Sequence, residues 1–175
     1  RLESPRNVMF NAWPQAWSNL IYACGKLLDC AGGKVSVLGN GVGVIMREGA
    51  GAMAKAVGPH AHIQADAQNL SSTLWGLARF DWYDDGQIRE LATAFVQRMK
   101  GCTPQAVANV LLALAKLKWY DEGTVSHLAG AAVKHVSSSA PQALSNNLLS
   151  LSSLFWYERA VYDEQLWGLV KSREQ

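Results

Sequence analysis

Cysteine is scarce in this chain, with only Cys24, Cys30 and Cys102 among 175 residues. Their odd number and unpaired spacing argue against a disulfide framework and for a reducing compartment. No apolar run approaches the roughly 18 residues needed to span a bilayer, so membrane insertion is not expected. Neither sign of charge is in clear excess, since 16 basic and 14 acidic residues leave a net +2. Such a balance does not announce a polyanionic partner, and only a local basic stripe would do so. No stretch reads convincingly as a strand. The chain opens on Arg1 without a secretory-type apolar segment, which fits a processed product or a fragment.

What the chain does have is repetition. The stretch Gln105-Ala-Val-Ala-Asn-Val-Leu-Leu-Ala-Leu-Ala-Lys-Leu-Lys-Trp-Tyr-Asp121 has counterparts beginning at Gln68 and at Gln142, each 37 residues away. A weaker copy runs from Gln15 to Cys30. A fixed period of this size marks stacked supersecondary units, each covering its neighbour's apolar face. The expected fold is therefore all-α, an α-solenoid of about four helix pairs. With 49% hydrophobic residues the chain has enough apolar surface for a core.

Taken in order, residues 1–10 read as an irregular lead-in. A divergent first unit covers 11–63, followed by units at 64–101, 102–138 and 139–175. The first and second Gln anchors lie 53 residues apart, so about 16 are inserted, and the Gly-rich stretch 31–41 is where we place them. The first helix should run to about Leu28 and stop at the glycines of Cys30-Ala-Gly-Gly-Lys34. Val42, Ile45, Met46, Met53 and Val57 share one helical face despite interspersed glycines. Asp66 is placed to cap the next helix, and Thr103-Pro104 is a favourable helix opening. Ile88, Leu91, Ala92, Phe95 and Met99 stripe one second helix, and Val125, Leu128, Ala132 and Val136 the next.

A helical wheel divides the first helix of each unit. Counting from the Gln, offsets +2, +5, +6, +9 and +13 gather on one side, as Val107, Val110, Leu111, Leu114 and Lys118 in the third unit. That side is the expected core. Offsets 0, +4, +8 and +11 gather opposite. Offset 0 is Gln15, Gln68, Gln105 and Gln142, and offset +4 is Asn19, Ser72, Asn109 and Asn146. Offset +8 is always small, as Ala23, Gly76, Ala113 and Ser150, while offset +11 is Lys26, Arg79, Lys116 and Ser153. Amides and hydroxyls suit the Watson–Crick edges of unstacked bases, small residues leave room for a base, and cations suit phosphate. The same ladders also serve structure, as hydrogen bonds between units, helix capping and dipole compensation. Tyr22 and Trp75 at offset +7 either stack on bases or wedge against the next unit. The pairs Trp82-Tyr83, Trp119-Tyr120 and Trp156-Tyr157 are expected to pin the two helices of a unit together.

Other signals carry less. Gly39-Asn-Gly41-Val-Gly43 lacks the strand and the Lys-Ser/Thr ending of a phosphate loop. His60 and His62 have no tightly spaced cysteine partners, so no metal or other cofactor is expected. His127 and His135 stand eight residues apart with no nucleophile beside them. Asp84-Asp85 and Asp121-Glu122 recur in successive turns, which suits turn chemistry. No catalytic constellation emerges, and an enzyme is not expected.

The recurring Pro-Gln-x-Leu/Val-x-Asn-x-Leu-Leu/Trp-x-Leu-Ala-Lys-Leu-x-Trp/Tyr pattern resembles the octotricopeptide repeat family and its relatives with 37-residue units. The likeness covers residues 64–175, and the first unit diverges. It implies antiparallel helix pairs in a right-handed superhelix, with first helices lining the concave face. It also implies single-stranded RNA binding in an organelle, the mitochondrion favoured over the chloroplast, on a transcript or on rRNA within a ribosome. The wheel gives the candidate RNA-contacting set as Asn19, Lys26, Gln68, Ser72, Trp75, Gly76, Arg79, Gln105, Asn109, Ala113, Lys116, Gln142, Asn146 and Ser150, and within it offsets +4 and +8 match the positions the resemblance implies most naturally. Only four units are present, so a footprint of a few nucleotides is expected, with neighbouring proteins of a ribonucleoprotein assembly as further partners. The rival reading is a protein–protein scaffold of the same fold, its groove holding a peptide.

Overall fold

A computed structural model of the protein describes residues 14–33, 41–58 and 64–155. The lead-in, the middle of the insertion, His60, His62, Trp156-Tyr157 and the second helix expected for the fourth unit lie outside these residues. The described elements are helical: α1 (Pro14–Cys30), α2 (Gly41–Lys55), α3 (Ala67–Arg79), α4 (Asp85–Arg98), α5 (Pro104–Lys116) and α6 (Glu122–Lys134). A single 3-10 turn (Val136–Ser138) follows, and α7 occupies 141–155. Among the described residues there is no strand, and no helix is long and apolar enough to cross a membrane.

The caps show why the helices start where they do. Asp66 accepts the backbone N–H of Asn69, whose side chain accepts the Asp66 N–H in return, a capping box. Asp84, Thr103 and Asp121 cap α4, α5 and α6 by accepting the N–H of Gln87, Ala106 and Thr124, without the returning side-chain bond. The Thr124 N–H donated to Asp121 holds that carboxyl below its ordinary value, with a smaller contribution from Arg89. At the other end of α1, Gly32 and Gly33 take φ of +65° and +78°, and the helix runs to Cys30 before they stop it.

The packing joins like helices. α1 lies against α3 and α3 against α5, while α2 lies against α4 and α4 against α6. In the first three units the first helix also packs on the second helix of its own unit. One contiguous core results, from Trp17 through Leu74, Phe95 and Leu111 to Leu154. Full burial of side chains this size contributes about 1.5–3 kcal/mol each. Val107, Val110, Leu111 and Leu114 are all fully buried, as their wheel positions imply. On α2, Val42, Met46 and Met53 are buried and Ile45 partly so, while Val57, expected on the same helical face, falls in the turn beyond Lys55 and is partly buried. Gly49 brings that helix close, because a Cβ there would stand 2.8 Å from Ile21 Cδ1.

Two core expectations are corrected. Offset +13 is not on a helix in the second and third units, since α3 and α5 end at offset +11. Asp81 and Lys118 instead stand in the left-handed region, at φ of 51° and 54°. Beyond each, Trp82 N–H bonds Leu77 O and Trp119 N–H bonds Leu114 O, the closing bonds of Schellman turns. Val136, expected in the α6 stripe, falls in the 3-10 turn and is half exposed. The Ser138 and Ser139 hydroxyls bond back to His135 O and hold the chain in that tighter path.

The left-handed Lys118 supports a direct prediction. A side chain costs about 1 kcal/mol in that conformation, and glycine does not carry the cost. Lys118→Gly should therefore stabilise the fold by roughly 0.5–1 kcal/mol, raising Tm by about 2–3 °C in a thermal melt. An unchanged or lower Tm would show that the Lys118 side chain contributes more than its backbone costs.

Candidate functional site

The amide row of the first helices comes out at the surface. Gln15, Gln68, Gln105 and Gln142 are exposed; Asn19 is exposed, and Ser72, Asn109 and Asn146 are partly so. Within a helix the two positions hold each other. Gln15 Nε2 donates to Asn19 Oδ1 at 2.8 Å, Gln105 Nε2 to Asn109 Oδ1 at 2.8 Å, and Gln68 Nε2 to Ser72 Oγ at 3.3 Å. Each such bond spans one helical turn, so the first three units each present a small polar clasp.

The clasps share a register. Tyr22 and Trp75, which occupy the same offset, have ring centroids 4.8 Å apart. Near the start of the helices Asn69 Nδ2 donates to Gln15 Oε1 at 2.8 Å, and near their ends Arg79 is ion-paired with Asp29. α1 and α3 therefore run in the same direction, side by side. In the next unit Lys116 Nζ reaches Arg79 O at 3.4 Å and Asp81 at 3.5 Å.

These contacts change the reading of the cation row. Arg79 and Lys116 reach back to the unit before them and are engaged in holding units together. Lys26 is exposed and lies over Trp75 at 5.0 Å and Tyr22 at 5.5 Å, while the Arg79 guanidinium stands 5.8 Å from the Trp75 ring. A cation–π cluster of Lys26, Tyr22, Trp75 and Arg79 thus sits at the joint between the first two units. Ser153 is exposed.

The small residues do not line a groove. Gly76, Ala113 and Ser150 are buried, and only Ala23 of that offset is exposed. A Cβ on Gly76 would stand 2.6 Å from Ile21 Cγ2 and 2.7 Å from Ile21 O. Space at Gly76 is thus taken by the preceding first helix, and buried Ala113 and Ser150 leave none for a base either. The wheel explains why: offset +8 lies about 80° round from the Gln, beside offset +1 at about 100°. Offset +1 is buried too in the second, third and fourth units, as Asn69, Ala106 and Ala143.

Asn69 went unnoticed in the sequence, although it both closes the capping box and bonds Gln15 and the Ser18 hydroxyl, the latter at 3.3 Å. Its spacing from Asp66 was the signal available. Trp119 is nearly fully buried and donates Nε1–H to Asp85 Oδ1 at 3.0 Å, under the Arg89 guanidinium at 5.6 Å. It thus ties its unit to α4 of the preceding one, where a contact within its own unit was expected. Burial pushes the Cys24 and Cys102 thiols above their ordinary pKa. Among the described residues no cluster of three or more His, Cys, Asp or Glu is placed to hold a metal. No protein-family model matches this chain, and no curated protein or solved structure does either.

Proposed function

We propose that the chain is a non-catalytic RNA-binding α-solenoid of an organelle, the mitochondrion favoured, whose antiparallel helix pairs present single-stranded RNA to the first-helix face. The observation that supports this most is the row of amide clasps. In the Gln105–Asn109 clasp one internal bond leaves a Gln Oε1 acceptor and an Asn Nδ2 donor turned to solvent. An adjacent acceptor and donor is what the edge of an unstacked base pairs with. The Tyr22–Trp75 joint with Lys26 above it adds a stacking surface and a cation for phosphate. With Arg79 and Lys116 engaged between units, the reading predicts modest affinity and a short footprint. Such a protein works as one component of a larger ribonucleoprotein, a mitochondrial ribosome among the candidates.

The test is single-stranded RNA affinity across salt. Binding should weaken as salt rises, with a log–log slope of about −0.7 for each phosphate contacted. Asn109→Ala with Asn146→Ala should cost at least about tenfold in affinity while the helical circular dichroism is kept, since two base-edge contacts are removed. Ultraviolet crosslinking in organelle extract should then recover one short recurring RNA segment. Recovery of protein partners with no RNA would replace this reading with the scaffold. Loss of fold in the double variant would assign the amides to structure.

A further inference from the structure

A groove of about 540 Å³ opens between α4 and α6, on the second helices and away from the amide row. Lys100, Lys134, His127, His135, Gln97 and Ser126 line it, and no carboxylate does. Lys100 and Lys134 are exposed and form no ion pair with the described residues, whose bridges engage Arg79, Arg89 and Lys116. His127 Nδ1 lies 2.7 Å from Gly123 O, which fixes the hydrogen on Nδ1 and leaves Nε2 for another partner. The two histidines have no evident chemistry as neighbours in sequence. The fold sets them beside a lysine of the preceding unit.

Both lysines stand at the ends of helices, where a cation also offsets the partial negative charge of the last carbonyls. That accounts for one lysine per helix. It does not account for two imidazoles in the same groove or for the missing carboxylate. A concave surface of one sign concentrates counter-ions, and ammonium, amide and hydroxyl donors together match phosphate oxygens. We propose that this groove is a binding site for phosphate groups, carried either by a phosphodiester chain or by a free polyphosphate. Lys100 and Lys134 supply the charge, and Gln97 and Ser126 supply neutral donors. The inference stands apart from the amide row and does not depend on it.

Nitrogen-15 NMR of the whole chain tests it, with tripolyphosphate and a single-stranded RNA homopolymer titrated separately. The amides of Gly101 and Gly130, both lining the groove, should shift and saturate. Lys100→Gln with Lys134→Gln should weaken that response at least about tenfold and leave the rest of the spectrum in place, both side chains being exposed. Saturation at lower phosphate concentration with RNA identifies a nucleic-acid chain as the source, and the reverse order identifies free polyphosphate. Either order supports the site. If neither ligand moves Gly101 and Gly130, or the double variant responds as the parent does, the proposal falls. If RNA shifts the amide row while neither ligand moves Gly101 and Gly130, the groove proposal falls and the first-helix reading stays intact.

Discussion

Gly76→Ala should be among the most damaging single-methyl changes in this protein, at about 2–3 kcal/mol of stability. Alanine is ordinarily the better helix residue by about 1 kcal/mol, so the propensity argument has the opposite sign. Geometry decides between them. The new methyl would sit 2.6 Å from Ile21 Cγ2 and 2.7 Å from Ile21 O. A side-chain methyl can rotate away, but a backbone oxygen inside α1 moves only if the helix does. α1 and α3 would have to separate, loosening Leu70, Leu74 and Ile21 together. Gly51→Ala in α2 is the control, since nothing lies within 4 Å of the Cβ it would add. It should be neutral or stabilise by up to about 1 kcal/mol. Urea denaturation of both variants checks the pair, and equal midpoints would show that α1 and α3 do not approach this closely.

Trp119→Ala should cost more still, about 3–5 kcal/mol. The side chain is 2% exposed, so truncation leaves a large void where three elements meet. It also removes the bond to Asp85 and the surface under Arg89. Trp119→Phe separates the two contributions, because it keeps most of the apolar area and loses the indole N–H. A hydrogen bond to a half-exposed carboxylate is worth about 1 kcal/mol net, so the phenylalanine variant should lose a small part of the effect. Thermal melts should show Tm falling by about 10 °C for alanine and by a few degrees for phenylalanine. Equal losses in the two variants would assign the effect to the hydrogen bond.

The sequence made the helices legible because two independent signals agreed on them. The 37-residue period located the units, and the cap residues Asp66 and Thr103 located two of the starts within them, whereas Asp84 and Asp121 read only as turn residues. The apolar stripe of Ile88, Leu91, Ala92 and Phe95 was readable for the same reason, since one buried face of one helix is a local pattern. What a wheel cannot supply is the identity of the neighbour on each flank. Gly76, Ala113 and Ser150 lie on the polar half by angle, yet all three are buried, Gly76 against Ile21 of the preceding first helix. Lys118 shows a different limit. Its angle was computed for a helix that had already ended, because a left-handed residue without glycine gives no compositional warning. Trp119 was rightly expected to pack, but only the fold could show that its partner belongs to another unit. The amide row was visible as a row; its clasps, and the engagement of Arg79 and Lys116 by Asp29 and Asp81, required coordinates.

The pairing of those cations bears on symmetry. At the first two joints the acid comes from the earlier unit and the base from the later one, Asp29 with Arg79 and then Asp81 with Lys116. A surface built that way is not its own complement. It matches the opposite end of another unit, so a two-fold axis cannot reproduce the joint. Contacts of this heterologous kind close into a ring or extend without limit, and never stop at a pair. The same asymmetry gives the row of first helices a polarity, so any extended ligand lying along it meets a surface with two distinguishable ends.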